Sequence, residues 1–170
     1  MKFVKDISIS PSDLNKDLKK IIRVKLIEDV TGTCNEKYGY YIKVIKIHEI
    51  KNGFIMDGTG DIIFKMKYEV VLLRPFVGEV CDGIIDRVVE NNGGLIVKVG
   101  PFEVFISHED IPSIYEKDTK NNCYVSTKDE SDKLQKGEKV RFKYTSSQFV
   151  EGIFKPIGTM KEQYLGHIAN

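Results

Sequence analysis

The side chains best suited to chemistry in this sequence are one aromatic ring and three cations in its second half. Segments 95–99, 103–107 and 140–144 are rich in alternating apolar residues, which predicts β-strands whose neighbouring side chains point to opposite faces. One parity predicts a barrel interior, formed by Val97, Val99, Ile106, Val140, Phe142 and Tyr144. The other parity points outward and carries Ile96, Lys98, Phe105, Arg141 and Lys143. A ring that stacks on bases, beside cations that pair with phosphates, is the chemistry of single-stranded RNA binding.

A second interpretation of these outward residues stays open. Lysines and arginines on strand surfaces are ordinary solubilising residues, and Phe105 has the alternative of packing beneath the long polar segment 116–139. Residues 78–170 contain 12 basic and 15 acidic side chains, whereas residues 1–77 contain 14 basic and 10 acidic ones. Because the second half is net negative, we expect any RNA affinity to be weak, sensitive to salt and set by a few local phosphate contacts.

Residues that could form a catalytic or metal centre are scattered along the chain. The cysteines and histidines stand far apart, at Cys34, Cys81, Cys123, His48, His108 and His167. There is no Cys-x-x-Cys, and no acid pair, Ser–His or Cys–His grouping occurs at a motif spacing. We therefore expect a non-catalytic protein with no metal and no cofactor, whose free thiols are typical of a reducing compartment.

The segment Gly58-Thr59-Gly60 has the glycine content of a phosphate-binding loop but not its context. No Gly-Lys-Ser/Thr follows it, and no helix begins after it to hold an anion. A tight turn between two strands is the favoured interpretation.

The first half predicts an α+β domain. Residues 2–10 alternate as an edge strand, and Ser10-Pro11-Ser12-Asp13 has the composition of a capped helix start. A helix of about five turns follows, with its apolar stripe at Leu14, Leu18, Ile21, Ile22, Leu26 and Val30. Residues 40–50, 54–56 and 64–72 then predict an antiparallel sheet on which that helix packs.

The second half predicts an all-β barrel. Five strands with a short helical turn after the third are typical of a Greek-key OB barrel, and residues 116–139 are an elaborated polar connection before the fourth strand. A bulge is expected at Lys155-Pro156, because proline donates no ladder hydrogen bond. We place the domain boundary at 77/78, so the domains are 1–77 and 78–170, joined rigidly at Arg74-Pro75-Phe76.

Overall composition excludes two classes of protein. The net charge of this 170-residue chain is only +1, which argues against attachment to nucleic acid by bulk positive charge. No uninterrupted apolar run approaches the roughly 20 residues of a membrane span. The charged, strand-like N-terminus does not have the pattern of a signal peptide.

Several motifs resemble one known family along nearly the whole chain. They are Gly32-x-Cys34-x-x-Lys37-Tyr38-Gly39-Tyr40, Gly53-x-Ile55 with Gly58-x-Gly60, Phe64-x-Met66-x-Tyr68, Arg74-Pro75-Phe76-x-Gly78-Glu79-Val80, and Ile157-Gly158 with Tyr164-Leu165-Gly166. Together they resemble the seventh subunit of RNA polymerase II, the larger protein of the polymerase stalk, which has a counterpart in archaeal polymerases. The second half also resembles S1-type RNA-binding OB domains. A departure is Ser107-His108-Glu109, where polymerase II relatives have Ser-Arg-His.

The resemblance implies a non-catalytic nuclear stalk subunit that forms a heterodimer with the fourth subunit. Its first half would be the tip domain that docks on the core enzyme, and its OB domain would contact nascent single-stranded RNA. The docking contacts are expected in two loops, at Cys34, Asn35, Lys37, Tyr38, Gly58, Thr59 and Gly60. Two alternatives stay open: a free-standing S1-type RNA-binding protein, or the equivalent subunit of polymerase I, polymerase III or an archaeal polymerase.

Overall fold

Two separate apolar cores divide the chain into the units Met1–Arg74 and Pro75–Asn170. The structure is a computed structural model that describes residues 1–14, 17–90 and 93–168. Among these residues no helix combines the length and the apolar character needed to cross a membrane.

The first unit is one helix packed on an antiparallel sheet, which confirms the predicted α+β class. Its elements are β1 (Lys2–Ile9), α1 (Leu18–Val30), β2 (Cys34–Asn35), β3 (Gly39–Ile50), β4 (Phe54–Ile55) and β5 (Ile62–Leu73). The sheet order is β1-β5-β3-β2, with β4 also paired to β5, so β5 is its central strand. Ile22, Leu26 and Val30 of α1 are buried against the sheet, because they recur on one face of the helix.

The helix is shorter at its N-terminal end than its apolar stripe predicts. Pro11–Asp13 form a separate 3₁₀ turn, and α1 has only 13 residues. The backbone leaves the helical region at Leu14, whose side chain is exposed, so this residue does not join the core. Ser10 does not cap the turn, since its hydroxyl lies 3.0 Å from the Ser12 hydroxyl instead. The part of the predicted helix at residues 15–16 lies outside the described residues.

Gly39 lets the start of β3 approach the end of β5. Its φ is +98°, and a Cβ atom built there would lie 2.4 Å from the Leu73 carbonyl oxygen. Tyr40 pairs with Leu73 directly beside this contact. Only glycine satisfies both the backbone conformation and the space.

The second unit is a closed five-stranded barrel that carries a small additional sheet, so the predicted OB barrel is confirmed. Its strands are β6 (Val80–Val88), β7 (Gly94–Val99), β8 (Phe102–Ser107), β9 (Tyr115–Asp118), β10 (Cys123–Ser126), β11 (Lys133–Leu134), β12 (Lys139–Val150), β13 (Ile153–Thr159) and β14 (Gly166–His167). The barrel order is β13-β8-β7-β6-β12, and β12 pairs with β13 to close it. A 3₁₀ turn at His108–Asp110 follows the third strand, as predicted.

The long strand β12 closes the barrel by means of an irregularity at Thr145. Residues 139–143 of β12 pair with β6, whereas residues 143–150 pair with β13. The register shifts between Tyr144 and Ser146, and the Thr145 hydroxyl donates a hydrogen bond to the Ile157 carbonyl at 3.2 Å. The bulge predicted at Lys155-Pro156 is wrong, because Pro156 pairs regularly with Ser147 and the extra residue lies in the partner strand.

The polar connection after the third strand contains the three-stranded sheet β11-β10-β9. Tyr124 is completely buried, and its hydroxyl accepts a hydrogen bond from the Gly94 backbone N–H at 2.7 Å. The Tyr115 hydroxyl donates to Asp132 at 2.8 Å, and the other oxygen of Asp132 lies 2.6 Å from the His167 ring. These bonds attach the sheet both to β7 and to the C-terminal strand β14.

The close approach at Gly39 predicts a large difference between two glycines of similar backbone conformation. Gly39→Ala should lower the free energy of unfolding by about 3 kcal/mol, because the methyl group strains the backbone and meets the Leu73 carbonyl. Gly58 has a φ of +94° but no atom near the built Cβ, so Gly58→Ala should cost only about 1 kcal/mol. Urea unfolding followed by circular dichroism measures both changes, and equal losses would contradict the steric explanation.

Candidate RNA interface and docking loops

The predicted RNA-binding residues lie on the outer face of the barrel, as the strand alternation requires. The inward set is buried at Val97, Ile106, Val140, Phe142 and Tyr144, and Val99 packs against the same core. Lys98 is on β7, Phe105 on β8, and Arg141 and Lys143 on β12. Because the barrel is closed, β8 and β12 are separated by β13 on one side and by β7 and β6 on the other. The four residues share the outer face of the barrel but lie on three different strands.

Each of the three predicted cations is already bound by a carboxylate. Lys98 contacts Asp86 at 2.9 Å, and Lys143 contacts Glu162 at 2.8 Å. Arg141 binds Asp82 through two parallel hydrogen bonds of 2.6 and 2.8 Å. An RNA phosphate must therefore compete with an acidic side chain at every one of these positions.

The sequence contains a signal for two of these carboxylates but not for the third. Asp82 and Asp86 lie on β6, and Asp82 stands directly opposite Arg141, so a predicted cross-strand register would have indicated that pair. Glu162 follows β13 in an irregular segment, and its position against Lys143 depends on the tertiary path of the chain.

The hydrogen bonds between Arg141 and Asp82 favour the charged form of both side chains. The hydrogen bonds from Arg141 hold the pKa of Asp82 below its ordinary value, and those same bonds raise the pKa of the guanidinium. Lys98 lowers the pKa of Asp86 in the same way. Because opposite charges stand in contact at Lys98, Arg141 and Lys143, these three cations contribute little uncompensated positive charge to the outer face.

Phe105 is half-buried in a groove between β8 and β13 rather than beneath the segment 116–139. The ring lies against Gly94, where an added Cβ would come within 3.1 Å of it. Ile96 pairs with Phe105 from β7, and Ile157 pairs with it from β13. The ring thus remains accessible at the floor of an apolar groove on the barrel surface.

The two predicted docking loops lie at opposite ends of the sheet in the first unit. Cys34 and Asn35 pair with the first residues of β3, next to the end of β5 at Leu73. The turn at Gly58–Gly60 instead joins β4 to the beginning of β5 at Ile62. Along a 12-residue strand these ends are roughly 35 Å apart, so the structure does not bring the two loops into one site.

The loop at Cys34–Tyr38 uses its polar groups internally. The Asn35 side-chain oxygen accepts hydrogen bonds from the backbone N–H groups of Lys37 and Tyr38 at 3.0 and 3.2 Å. The Tyr38 ring packs edge-on against Phe3, with the ring centroids 4.9 Å apart. Arg74 donates to the Lys37 carbonyl at 2.8 Å. These contacts give the loop a fixed shape and a structural role within its own unit.

The second loop carries an apolar surface that the sequence did not reveal. Phe54, Ile55 and Met56 are exposed, with Ile55 at 68 % of its full accessible surface. They form, together with the turn to Asp61, the apolar hairpin, residues 54–61. The Gly60 and Met56 backbones are joined by a 3.1 Å hydrogen bond, and Gly58 and Gly60 have positive φ angles. Three consecutive apolar residues predict burial, so their exposure was not readable from the pattern.

Comparison with known proteins shows which domain family each of the two units matches. Residues 5–60 match the SHS2 domain found in the N terminus of Rpb7p/Rpc25p/MJ0397, and residues 74–146 match the S1 RNA binding domain. The RNA polymerase II subunit rpb7 of Schizosaccharomyces pombe is 37% identical over 163 residues, covering 94% of this chain and 92% of the relative. The chain belongs to the family of the RNA polymerase II seventh subunit. Within this family, RPB7 of Saccharomyces cerevisiae is 32% identical and covers 99% of this chain and 100% of its own length.

The family likeness extends to archaea at lower identity. The RNA polymerase subunit Rpo7 of Sulfolobus acidocaldarius is 26% identical over 154 residues, covering 90% of this chain and 79% of the relative. The polymerase II relatives and the two domain matches confirm the motif-based family prediction and the predicted fold class. In the described part of the chain, no group of three or more His, Cys, Asp or Glu side chains is arranged to hold a metal ion.

The Arg141–Asp82 pair predicts a specific change in titration. Arg141→Met should raise the pKa of Asp82 toward its ordinary value of 3.8, because the guanidinium hydrogen bonds are the main cause of the lowering. Since the pKa is lowered in the folded state, the pair stabilises the fold at neutral pH. This contribution is lost as the pH falls through the folded-state pKa, below 3.8. Carboxyl ¹³C NMR titration of the full chain measures the shift.

An internal control for this titration is Asp118. Its pKa is lowered by hydrogen bonds from the Asn121 side chain and the Lys120 backbone, which do not involve Arg141. Its titration should be the same in both proteins. An unchanged Asp82 titration in Arg141→Met would show that the pair does not form in solution.

Proposed function

We propose that this chain is the larger stalk subunit of RNA polymerase II, which docks on the core enzyme and contacts nascent RNA during transcription. The observation that carries the proposal is a match over 99% of this chain and 100% of RPB7 from Saccharomyces cerevisiae. Both units of the structure correspond to the two matched domains. A free-standing S1-type protein would not require the SHS2 unit that precedes the barrel.

The proposal includes the partners expected of a stalk subunit in the nucleus. The chain forms a heterodimer with the fourth subunit, and the chemistry of RNA synthesis remains in the core polymerase. Surface available for pairing includes Val77 and Val80 at the start of the second unit, which are exposed by half or more. Exposed apolar residues of this kind are more frequent at protein interfaces than on free surfaces.

We assign docking on the core to the apolar hairpin rather than to the loop at Cys34–Tyr38. The hairpin presents three exposed apolar side chains on a turn that internal hydrogen bonds hold in place. A preformed apolar surface binds with little ordering cost. The polar groups of the other loop are engaged within its own unit, which leaves fewer of them for a partner.

RNA contact is assigned to the outer face of the barrel, where Phe105, Lys98, Arg141 and Lys143 lie. The S1 match covers these four residues. The carboxylates bound to the three cations reduce the electrostatic attraction of the surface for a phosphate backbone. The expected affinity is therefore weak, which suits a surface that a transcript passes over while the core enzyme holds it.

The docking assignment predicts the effect of a charge on the exposed strand β4 of the hairpin. Ile55→Asp should weaken association with the core polymerase about thirtyfold, the effect of losing about 2 kcal/mol at an interface anchor. Pairing with the fourth subunit should be unchanged, because Ile55 is not part of the surface at Val77 and Val80 that is proposed for that pairing. Reconstitution with fourth-subunit-bound chain and stalk-free core enzyme measures both quantities.

The matched control is Val4→Asp, which places the same charge at an exposed apolar position on the edge strand β1. This variant should assemble like the wild type. Normal assembly of Ile55→Asp would remove the hairpin from the docking surface, and failure of the wild-type chain to join the core or the fourth subunit would refute the stalk function itself.

A further inference from the structure

Strand β3 departs from simple alternation after Tyr40. The side chains that pack into the core of the first unit recur at every third position, at Tyr41, Val44, Ile47 and Ile50. The register against β5 shifts between each of these residues and the next, and the residues left without a partner in β5 are Ile42, Ile45 and His48. Because a bulge redirects the side chain of its extra residue, two isoleucines of this strand lie outside the core.

The bulges place these apolar side chains beside an exposed flank of α1. Ile45 retains 62 % of its full accessible surface, and Ile42, Val24 and Ile27 are also exposed. Val24 and Ile27 are three residues apart in α1 and therefore share one side of the helix. Between α1 and β3 lies a depression of about 290 Å³, which we call the α1–β3 groove. It is lined by Arg23, Ile27, Val44, Ile45, Lys46 and Ile47.

The charge at this groove is positive and uncompensated. Its two ionisable lining residues are Arg23 and Lys46, and neither forms an ion pair in the part of the chain that the structure describes. Glu69 stands opposite Lys46 in the strand register but is bound by His48 at 3.1 Å. Acidic residues of α1 line a separate depression, in which lysines of the same helix accompany them. The groove thus combines exposed isoleucines with two cations available to a partner.

A partner strand is a poor occupant for this edge of the sheet. Strand β2 pairs only with Gly39 and Tyr40, so among the described residues no strand covers the edge of β3 beyond Tyr40. Repeated bulges and edge lysines, here Lys43 and Lys46, are features by which proteins prevent another strand from pairing. Side chains rather than backbone groups are therefore the contacts on offer. A helix with one apolar face makes contacts of this kind in a groove.

We propose that the α1–β3 groove binds an amphipathic helix with acidic residues beside its apolar face, carried by a protein other than the core polymerase and the fourth subunit. The apolar face of that helix covers Ile27 and Ile45 and extends to Val24, one helical turn away. Its carboxylates contact Arg23 and Lys46. No aromatic ring lines the groove, so the groove offers no platform for a base, and its charge favours an acidic protein over a nucleic acid.

This interaction goes beyond the proposed stalk role. The surfaces assigned above to docking and to pairing consist of other residues, namely the apolar hairpin and the pair Val77 and Val80. A site separate from both would let a regulatory protein bind the chain without displacing either partner.

The first test uses the full chain and a fluorescein-labelled peptide of about 18 residues, roughly five helical turns, built from Leu, Glu and Ala with the leucines on one face. Fluorescence anisotropy should show binding that weakens as salt is added, because the cations are exposed. Two altered peptides should bind at least about tenfold more weakly. One has the same composition with the leucines scattered around the helix, and the other has Lys in place of Glu.

Variants of the chain then locate the site. Ile45→Asp should weaken binding of the Glu peptide about tenfold, because an apolar contact is lost and a repelling charge is added. The double variant Arg23→Gln with Lys46→Gln should weaken it about fivefold and flatten its salt dependence. Because all three side chains project from the surface of the fold, each variant should keep the circular dichroism spectrum of the wild type.

Matched controls lie elsewhere in the same unit. Val4→Asp makes the same apolar-to-acid change at an exposed position of β1, and Lys65→Gln with Lys67→Gln removes two exposed charges from β5. Both controls should bind the peptide like the wild type. Equal losses in a groove variant and its control would overturn the proposal. Displacement of the peptide by an oligouridylate of about 12 nucleotides would also overturn it, since the surface would then select phosphate rather than an acidic helix.

Failure of this inference can be distinguished from failure of the proposed function by repeating the titration after pairing with the fourth subunit. Unchanged peptide binding is expected. Loss of binding would show that the fourth subunit covers the groove, which refutes the inference and leaves the stalk role standing. Ile45→Asp should also join the core enzyme normally, and a defect there would assign the groove to core docking instead. A chain that binds the peptide but joins neither partner would refute the stalk role alone.

Discussion

Closure of the barrel through β12 is the constraint on which the candidate RNA surface depends. One strand of 12 residues must pair with β6 over its first half and with β13 over its second half. The shift at Thr145 makes this change of partner possible, because an extra residue bends a strand and increases its twist. Arg141 and Lys143 precede the shift and contact acids, whereas Gln148 follows it and pairs with Lys155. The irregularity therefore separates the two ion-paired cations of β12 from the segment that pairs with β13.

The same ion pairs determine how a chain of net charge +1 would meet a polyanion under the proposed RNA contact. Attraction by bulk charge is absent, and the carboxylates of Asp82, Asp86 and Glu162 are bound to the three cations predicted to hold phosphates. Exposed pairs of this kind add little to stability, so their main effect is on what else can bind. A transcript held mainly by stacking, with few phosphate contacts, can move across such a surface without a large electrostatic cost.

Local patterns in the sequence predicted the fold class and the facing of the strands, but not the features that depend on tertiary contacts. Alternation placed Val97, Phe142 and Phe105 on the correct faces because side-chain direction has a period of two residues. The start of α1 was misplaced because Leu14 fits the apolar stripe, although its backbone is not helical. The sheet at 115–134 was missed because its buried Tyr124 and Leu134 are too widely spaced to form a strand pattern. Exposure of Ile55 and the pairing of Glu162 with Lys143 depend on contacts that no local pattern contains.

Within the described residues, β8 and β13 are paired at fewer positions than any other neighbouring strands of the barrel, since only Ile157 and Phe105 are paired. Backbone amides beside so short a pairing have few inter-strand hydrogen bonds, so their protons exchange with solvent through small local openings. A ligand that contacted both strands would favour their association, because its binding and the closure of the barrel are linked equilibria. The weakest strand pairing of the barrel is therefore the place where binding of a ligand would most change the stability of this unit.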